Sequence, residues 1–153
     1  MKKFFESISK IKVNNSENLA LFSRACSLLM AYSGKASHIG SAFSCIDIVS
    51  VIFFNFLKGK KNKLILSKGH AGLSIYSNLF ALKLISKKKI TSYLKDNSEL
   101  CGHIIHKNIP YIDHSTGSLG YGCGIAAGMG LSMKFKKINN KIFVILSEGD
   151  LNE

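Results

Sequence analysis

Two rhythms run through the apolar positions of this chain: spacings of three and four residues, and short unbroken runs. Leu19, Phe22, Cys26 and Leu29 follow the first rhythm after Ser16-Glu17, which predicts an amphipathic helix that Gly34 can end. Ile46, Val49, Phe53 and Phe56 repeat it, with Ser44 and Asp47 reading as a capping box ahead of a second helix. Leu64-Ile65-Leu66 belongs to the second rhythm and predicts a buried strand after a lysine-rich loop. His70 to Ile85 is helical again through Leu73, Tyr76, Phe80 and Leu84. Ser118 to Phe135 follows as a helix rich in glycine and alanine, and Ile142 to Leu146 as a second buried strand.

Helices alternating with short, wholly apolar strands predict an α/β fold, a parallel sheet flanked by helices. A length of 153 residues is enough for one domain with a real core. Two strands make a narrow sheet, however, and Glu153 comes just after the second. The expectation is therefore a truncated domain, 16–153, behind an N-terminal extension, 1–15. There is no internal repeat or low-complexity linker, and Pro110 is the one proline.

Composition removes several function classes. With 46% hydrophobic and 20% charged residues the chain is an ordinary globular sequence and not a disordered tail. Met1 to Lys10 is basic without the apolar core of a secretory signal, and no run reaches the roughly 18 apolar residues of a membrane span. Cys26, Cys45, Cys101 and Cys123 lie far apart with no CxxC pair, so zinc and redox motifs are unsupported and reduced thiols in a cytoplasm are expected. The net charge of +12 is carried almost wholly by lysine, Arg24 being the only arginine. Arginine is the preferred residue for forked contacts to phosphates and bases, so a nucleic-acid partner is not expected. Lys58 to Lys63 and Lys87 to Lys89 read as solvated connections, a basic exterior compatible with a phosphorylated small substrate.

Ligands of open parallel sheets sit beyond the carboxyl ends of the strands. Both strands lead into glycine-bearing loops there, Ser67-Lys68-Gly69-His70 and Ser147-Glu148-Gly149-Asp150. Glycine allows close backbone approach to a ligand, and a following helix start offers free N–H groups. From Gly117 to Gly130 there are six glycines. Each costs close to 1 kcal/mol against alanine inside a helix, so tight packing must compensate, either on a flat ligand or another chain or on the fold itself. His103, His106 and His114 have too loose a spacing for a metal pattern, and His106 and His114 are expected at the surface.

Four blocks occur in order: Ser37-His38-Ile39-Gly40, Leu66-Ser67-Lys68-Gly69-His70-Ala71, Gly102-His103, and Ser115-Thr116-Gly117-Ser118-Leu119-Gly120-Tyr121-Gly122. Together they resemble the thiamine-diphosphate-binding N-terminal part of the transketolase family, most of all the separate N-terminal subunits of split transketolases, from about Ser16 to the last residue. The resemblance implies transfer of a two-carbon ketol unit from a ketose phosphate to an aldose phosphate. It implies thiamine diphosphate and Mg²⁺ as cofactors, His70 by the diphosphate, and His38 and His103 toward substrate hydroxyls. Gly117, Ser118 and Leu119 would lie along the aminopyrimidine, and Ser147 to Glu153 would match the Gly-Asp-Gly motif that holds metal and diphosphate, with Gly149 at its centre. Glu153 would match a buried acid between two active sites. A C-terminal transketolase subunit or domain would be the partner, in a dimer of such pairs.

Two departures bear on these expectations. Glu148 stands where the family has aspartate, and Ser147 where it commonly has glycine. The longer side chain suits strict Mg²⁺ geometry less well and leaves Ca²⁺ or Mn²⁺ open, with Glu148 as the expected metal ligand and Asp150 as a second carboxylate nearby. The family's amide metal ligand and its activating glutamate lie outside these residues, so the chain is expected to be inactive alone. Alternatives are a deoxyxylulose-phosphate-synthase-like enzyme, a specialised sugar-biosynthesis transketolase, or a non-catalytic remnant.

Overall fold

Asn15 starts the first long helix, one residue ahead of the predicted position. Its side chain accepts a hydrogen bond from the Asn18 amide at 2.8 Å, and Glu17 lies in the first turn, where the helix dipole favours a negative charge. In the computed structural model, which describes residues 2–57, 59, 61–107 and 109–153, this is α2 (Ser16–Gly34). It follows a short helix, α1 (Lys2–Ile8), in a segment to which the periodicity assigns no element. Lys35, not Gly34, takes the left-handed turn that closes α2. Gly34 is glycine for another reason: a β-carbon there would sit 3.0 Å from the Tyr93 ring. Lys58 and Lys60 of the lysine loop lie outside the described residues.

After α3 (Ile39–Phe43) comes α4 (Ile46–Ile52), which runs on as one π-helical turn over Phe53–Leu57. The predicted capping box does not form. Cys45 is the N-cap and no side chain caps the helix; Asp47 pairs with Arg24, and the Ser44 hydroxyl donates to the Ser41 carbonyl at 2.8 Å. An arginine within reach outcompetes a backbone amide for the carboxylate, because both partners are charged.

β1 (Lys63–Leu66) leads through a 3-10 turn, Gly69–Ala71, into α5 (Gly72–Ala81). The predicted helix over His70–Ile85 is thus tighter at its start and shorter at its end, where Lys83 turns left-handed. α6 (Lys87–Thr91), α7 (Tyr121–Phe135), β2 (Ile142–Ile145) and α8 (Glu148–Leu151) follow. Gly120, at φ 79°, delays α7 to Tyr121 instead of Ser118.

The two strands pair in parallel with Lys63 opposite Ile142 and Leu66 opposite Ile145. Asn62 clamps the entry to the sheet, accepting from the Lys141 amide and donating to the Phe56 carbonyl, both at 2.8 Å. The core lies where α2 packs on α4 and α5, around Leu19, Cys26, Met30, Val49, Phe53, Leu73, Tyr76 and Leu79. Each such large side chain contributes about 1.5–3 kcal/mol by leaving water. β1 is buried from Leu64 to Leu66, whereas β2 is buried only at Ile145. α7 buries only Gly122 and Ala126, and exposes Tyr121, Leu131 and Phe135. Among the described residues no helix is long and apolar enough to cross a membrane.

Candidate active site

Three loops at the carboxyl ends of the strands meet in one place, and two glycines let them do so. A β-carbon on Gly122 would fall inside the Ser67 side chain and lie 2.7 Å from the Ser67 α-carbon, so the start of α7 can lie against the end of β1 only as glycine. At Gly69 a β-carbon would overlap the Thr116 hydroxyl. Backbone bonds fasten the same loops, the Ile104 amide donating to Gly69 at 3.3 Å and the Thr116 amide to Ile104 at 3.1 Å. The glycine-rich segment is accounted for inside the fold at Gly122, while Gly124 and Gly128 face open space.

His38, His70 and His103, from three separate segments, come together on this stitched surface. Their ring centroids are 5.3 Å apart for His38 and His70, and 6.2 Å for each of the other pairs. His38 is held at φ 67°, a left-handed backbone uncommon outside glycine. His70 is partly buried, and burial is the main cause that lowers its pKa below the usual imidazole value. The neighbouring His38, His103 and Lys68 act in the same direction against a weaker pull from Asp150. A neutral imidazole at neutral pH can both donate and accept, which suits hydroxyl-bearing substrates. Lys68 is buried and donates to the Ser44 hydroxyl at 2.8 Å and the Ser41 carbonyl at 3.2 Å, which ties the His70 loop to α3.

Gly117 and Ser118 are exposed and Leu119 half-buried. The Leu119 side chain lies 3.4 Å from where a Gly149 β-carbon would be, so the two glycine-bearing loops are in contact. Glu148 and Glu153 are exposed in this chain. Asp150 is not: it is 5% exposed, and its carboxylate accepts from the Ser67 hydroxyl at 2.6 Å, the Gly120 amide at 3.0 Å, and the Ser147 amide and hydroxyl at 2.8 and 2.7 Å. Burial alone would raise its pKa, but these hydrogen bonds outweigh that and hold it at about 2. Ser147 and Asp150 form the capping box of α8, which gives the serine at 147 a local structural reason.

The histidine expectation fails at one position. His106 is exposed, and its Nδ1 lies 2.6 Å from the Ile112 carbonyl; His114, expected at the surface, is 7% exposed. Ile109 and Ile112, a few residues before it, are buried in the core and draw this segment of the chain inward. No group of three or more His, Cys, Asp or Glu that could hold a metal ion occurs among the described residues. The surroundings of Asp150 and His114 escape sequence reasoning because each depends on loops distant along the chain. The Ser147-x-x-Asp150 spacing is the one local signal for the former.

A family model described as "Transketolase, thiamine diphosphate binding domain" matches residues 16–153. The chain belongs to the transketolase family. Among its relatives is one of the apulose-4-phosphate transketolase subunits, that of Phocaeicola vulgatus, 29% identical over 132 residues, covering 81% of this chain and 47% of that protein. Human transketolase is 30% identical over 139 residues, covering 85% of this chain and 22% of that one. Transketolase from Leishmania mexicana has the same fold, with a TM-score of 0.79 and 18% identity over 91% of this chain and 24% of that one. The chain thus spans about half the length of the Phocaeicola vulgatus relative and about a fifth of the human one. As a transketolase-family domain it is an α/β, thiamine-diphosphate-binding unit, its parallel strands flanked by helices.

Proposed function

We propose that this chain supplies the diphosphate-binding half of a transketolase-type active site, in an assembly that moves a two-carbon ketol unit from a ketose phosphate to an aldose phosphate. The observation that carries the reading is the convergence of His38, His70 and His103 from three loops beside the contact between Leu119 and Gly149. Thiamine diphosphate, when bound, supplies the electron sink for breaking a carbon–carbon bond next to a carbonyl. This chain's own residues bind and orient. His70 meets the diphosphate; His38 and His103 take substrate hydroxyls and exchange protons at their ring nitrogens. Gly117 and Ser118 offer backbone to the aminopyrimidine, and Leu119 covers it from water.

One carboxylate, Glu148, is free to meet a divalent cation here. Mg²⁺ is commonly held by one carboxylate plus phosphate oxygens, and Glu148 is exposed beside Gly149 while Asp150 is occupied by four hydrogen bonds. Glu148 is therefore the proposed metal ligand, with Ca²⁺ or Mn²⁺ as alternatives to Mg²⁺. A second, C-terminal transketolase chain would bring the activating carboxylate, in a dimer of such pairs; the Phocaeicola vulgatus relative, named as one subunit of its enzyme, supports a divided assembly. The free cysteines suit a cytoplasmic setting.

Calorimetric titration with thiamine diphosphate tests this, with and without Mg²⁺, on the chain alone and with a C-terminal transketolase subunit. Binding should require Mg²⁺, fall by at least about tenfold in Glu148→Ala, and be equal or tighter in Glu148→Asp. Absence of Mg²⁺-dependent uptake in both settings rejects the reading.

A further inference from the structure

Asp150 sits two residues past the proposed metal ligand, yet its carboxylate does something else. One oxygen takes the Ser67 hydroxyl at the end of β1 and the Gly120 amide at the start of α7; the other takes both Ser147 groups at the end of β2. Ser67 passes the link on, its hydroxyl accepting from the Gly122 amide at 3.2 Å. One side chain therefore reaches three segments, and its partner Ser67 is 83 residues away in sequence. The link between Ser67 and Asp150 is buried, at 0% and 5% exposed, while Gly120 and Ser147 are half-buried.

We infer that Asp150 is a positioning residue, the clasp that sets the spacing between the loop bearing Glu148 and Gly149 and the loops bearing His70 and Leu119. The chemistry requires an acceptor with two oxygens. Four donors converge on it, none of them charged, and only an ionised carboxylate accepts from all four without presenting a hydrogen of its own. Asparagine matches the shape but has one acceptor oxygen, and its NH₂ would face donors on the other side. A longer glutamate would push the three segments apart. Because the carboxylate is already saturated, a metal ion could take it only by breaking the joint between strands and α7. The link to cofactor binding rests on the function proposed above; the clasp itself does not.

The test uses the whole chain, labelled with ¹⁵N. A bond from an amide to a carboxylate moves the amide proton downfield and slows its exchange with solvent. In Asp150→Asn the Gly120 amide proton should move upfield and exchange faster by on the order of tenfold, while Tyr76 and Leu79 in α5 keep their rates. Ser67→Ala should speed exchange at Gly122 and Gly120, and it carries the test if Asp150→Asn does not fold. Unchanged Gly120 exchange in a folded Asp150→Asn overturns the clasp, as does unchanged exchange at both glycines in Ser67→Ala.

Titration with thiamine diphosphate across a range of Mg²⁺ concentrations supplies the second arm. Asp150→Asn should weaken cofactor binding, and the loss should persist at saturating Mg²⁺, because the spacing of the loops and not the occupancy of the metal has changed. A loss of Mg²⁺ affinity with unchanged Gly120 exchange would make Asp150 a metal ligand and overturn the inference. If the unaltered chain takes up no thiamine diphosphate either alone or with a C-terminal transketolase subunit, the proposed function falls and the exchange measurements still decide the clasp.

Discussion

His114, in the loop that leads into Gly117, is buried, with the Leu66 backbone as the polar group that acts on its ring. Burial is the main cause lowering its pKa below 6.5; His106 acts in the same direction, and the Leu66 backbone and Asp113 oppose it. The folded state therefore binds this proton less readily than the unfolded one. Stability is present above about pH 6.5 and is lost as the pH falls from there toward the lower folded value. Denaturant melts at a series of pH values should show this slope, and His114→Phe should flatten it; the slope that persists belongs to His70, whose pKa is lowered too. An unchanged slope in His114→Phe refutes the assignment. The buried position is not legible in the sequence, because a histidine between Asp113 and Ser115 carries no local mark of burial. His38, His70 and His103 are legible only through the blocks around them, since spacing alone does not bring three distant loops together.

At the scale of elements, periodicity reads α2, α5 and α7 and the two strands well, because each repeats its apolar face or run enough times to stand out. α3 and α6, at five residues each, complete little more than one turn, which is too short for a period to register. Helix ends are harder to read. Gly120 and Lys83 turn the chain left-handed where the apolar pattern simply continues. α7 also separates two roles of glycine that composition cannot distinguish. Gly122→Ala should cost about 1–3 kcal/mol, as its methyl group is forced into Ser67. Gly124→Ala and Gly128→Ala meet nothing within 4 Å and should stabilise by about 0.5–1 kcal/mol through helix propensity. Urea unfolding of the three variants checks the pattern, which fails if all three change stability in the same direction.

Over the whole molecule, the α/β class follows from alternating helices and apolar strands, and the two-stranded parallel pair matches that expectation. What the pattern could not convey is how unevenly the layers are covered. α2, α4 and α5 enclose a full core, while β2 and α7 keep apolar side chains such as Leu131 and Phe135 in water. The clamp between Asn62 and Lys141 closes a span of 79 residues, and the Ser27–Ser77 hydroxyl bond between α2 and α5 in the core closes 50. The longer closure, together with the thin cover over β2, predicts that the strand pair forms late in folding, after the helical core. Every joint between the site loops and β2 then forms on the native side of the rate-limiting step. A ligand of those loops should accordingly act as a brake on unfolding, lowering the unfolding rate and leaving the folding rate almost untouched. Stopped-flow kinetics with and without thiamine diphosphate and Mg²⁺ would read this directly, and a ligand-accelerated folding limb would reverse the order of assembly.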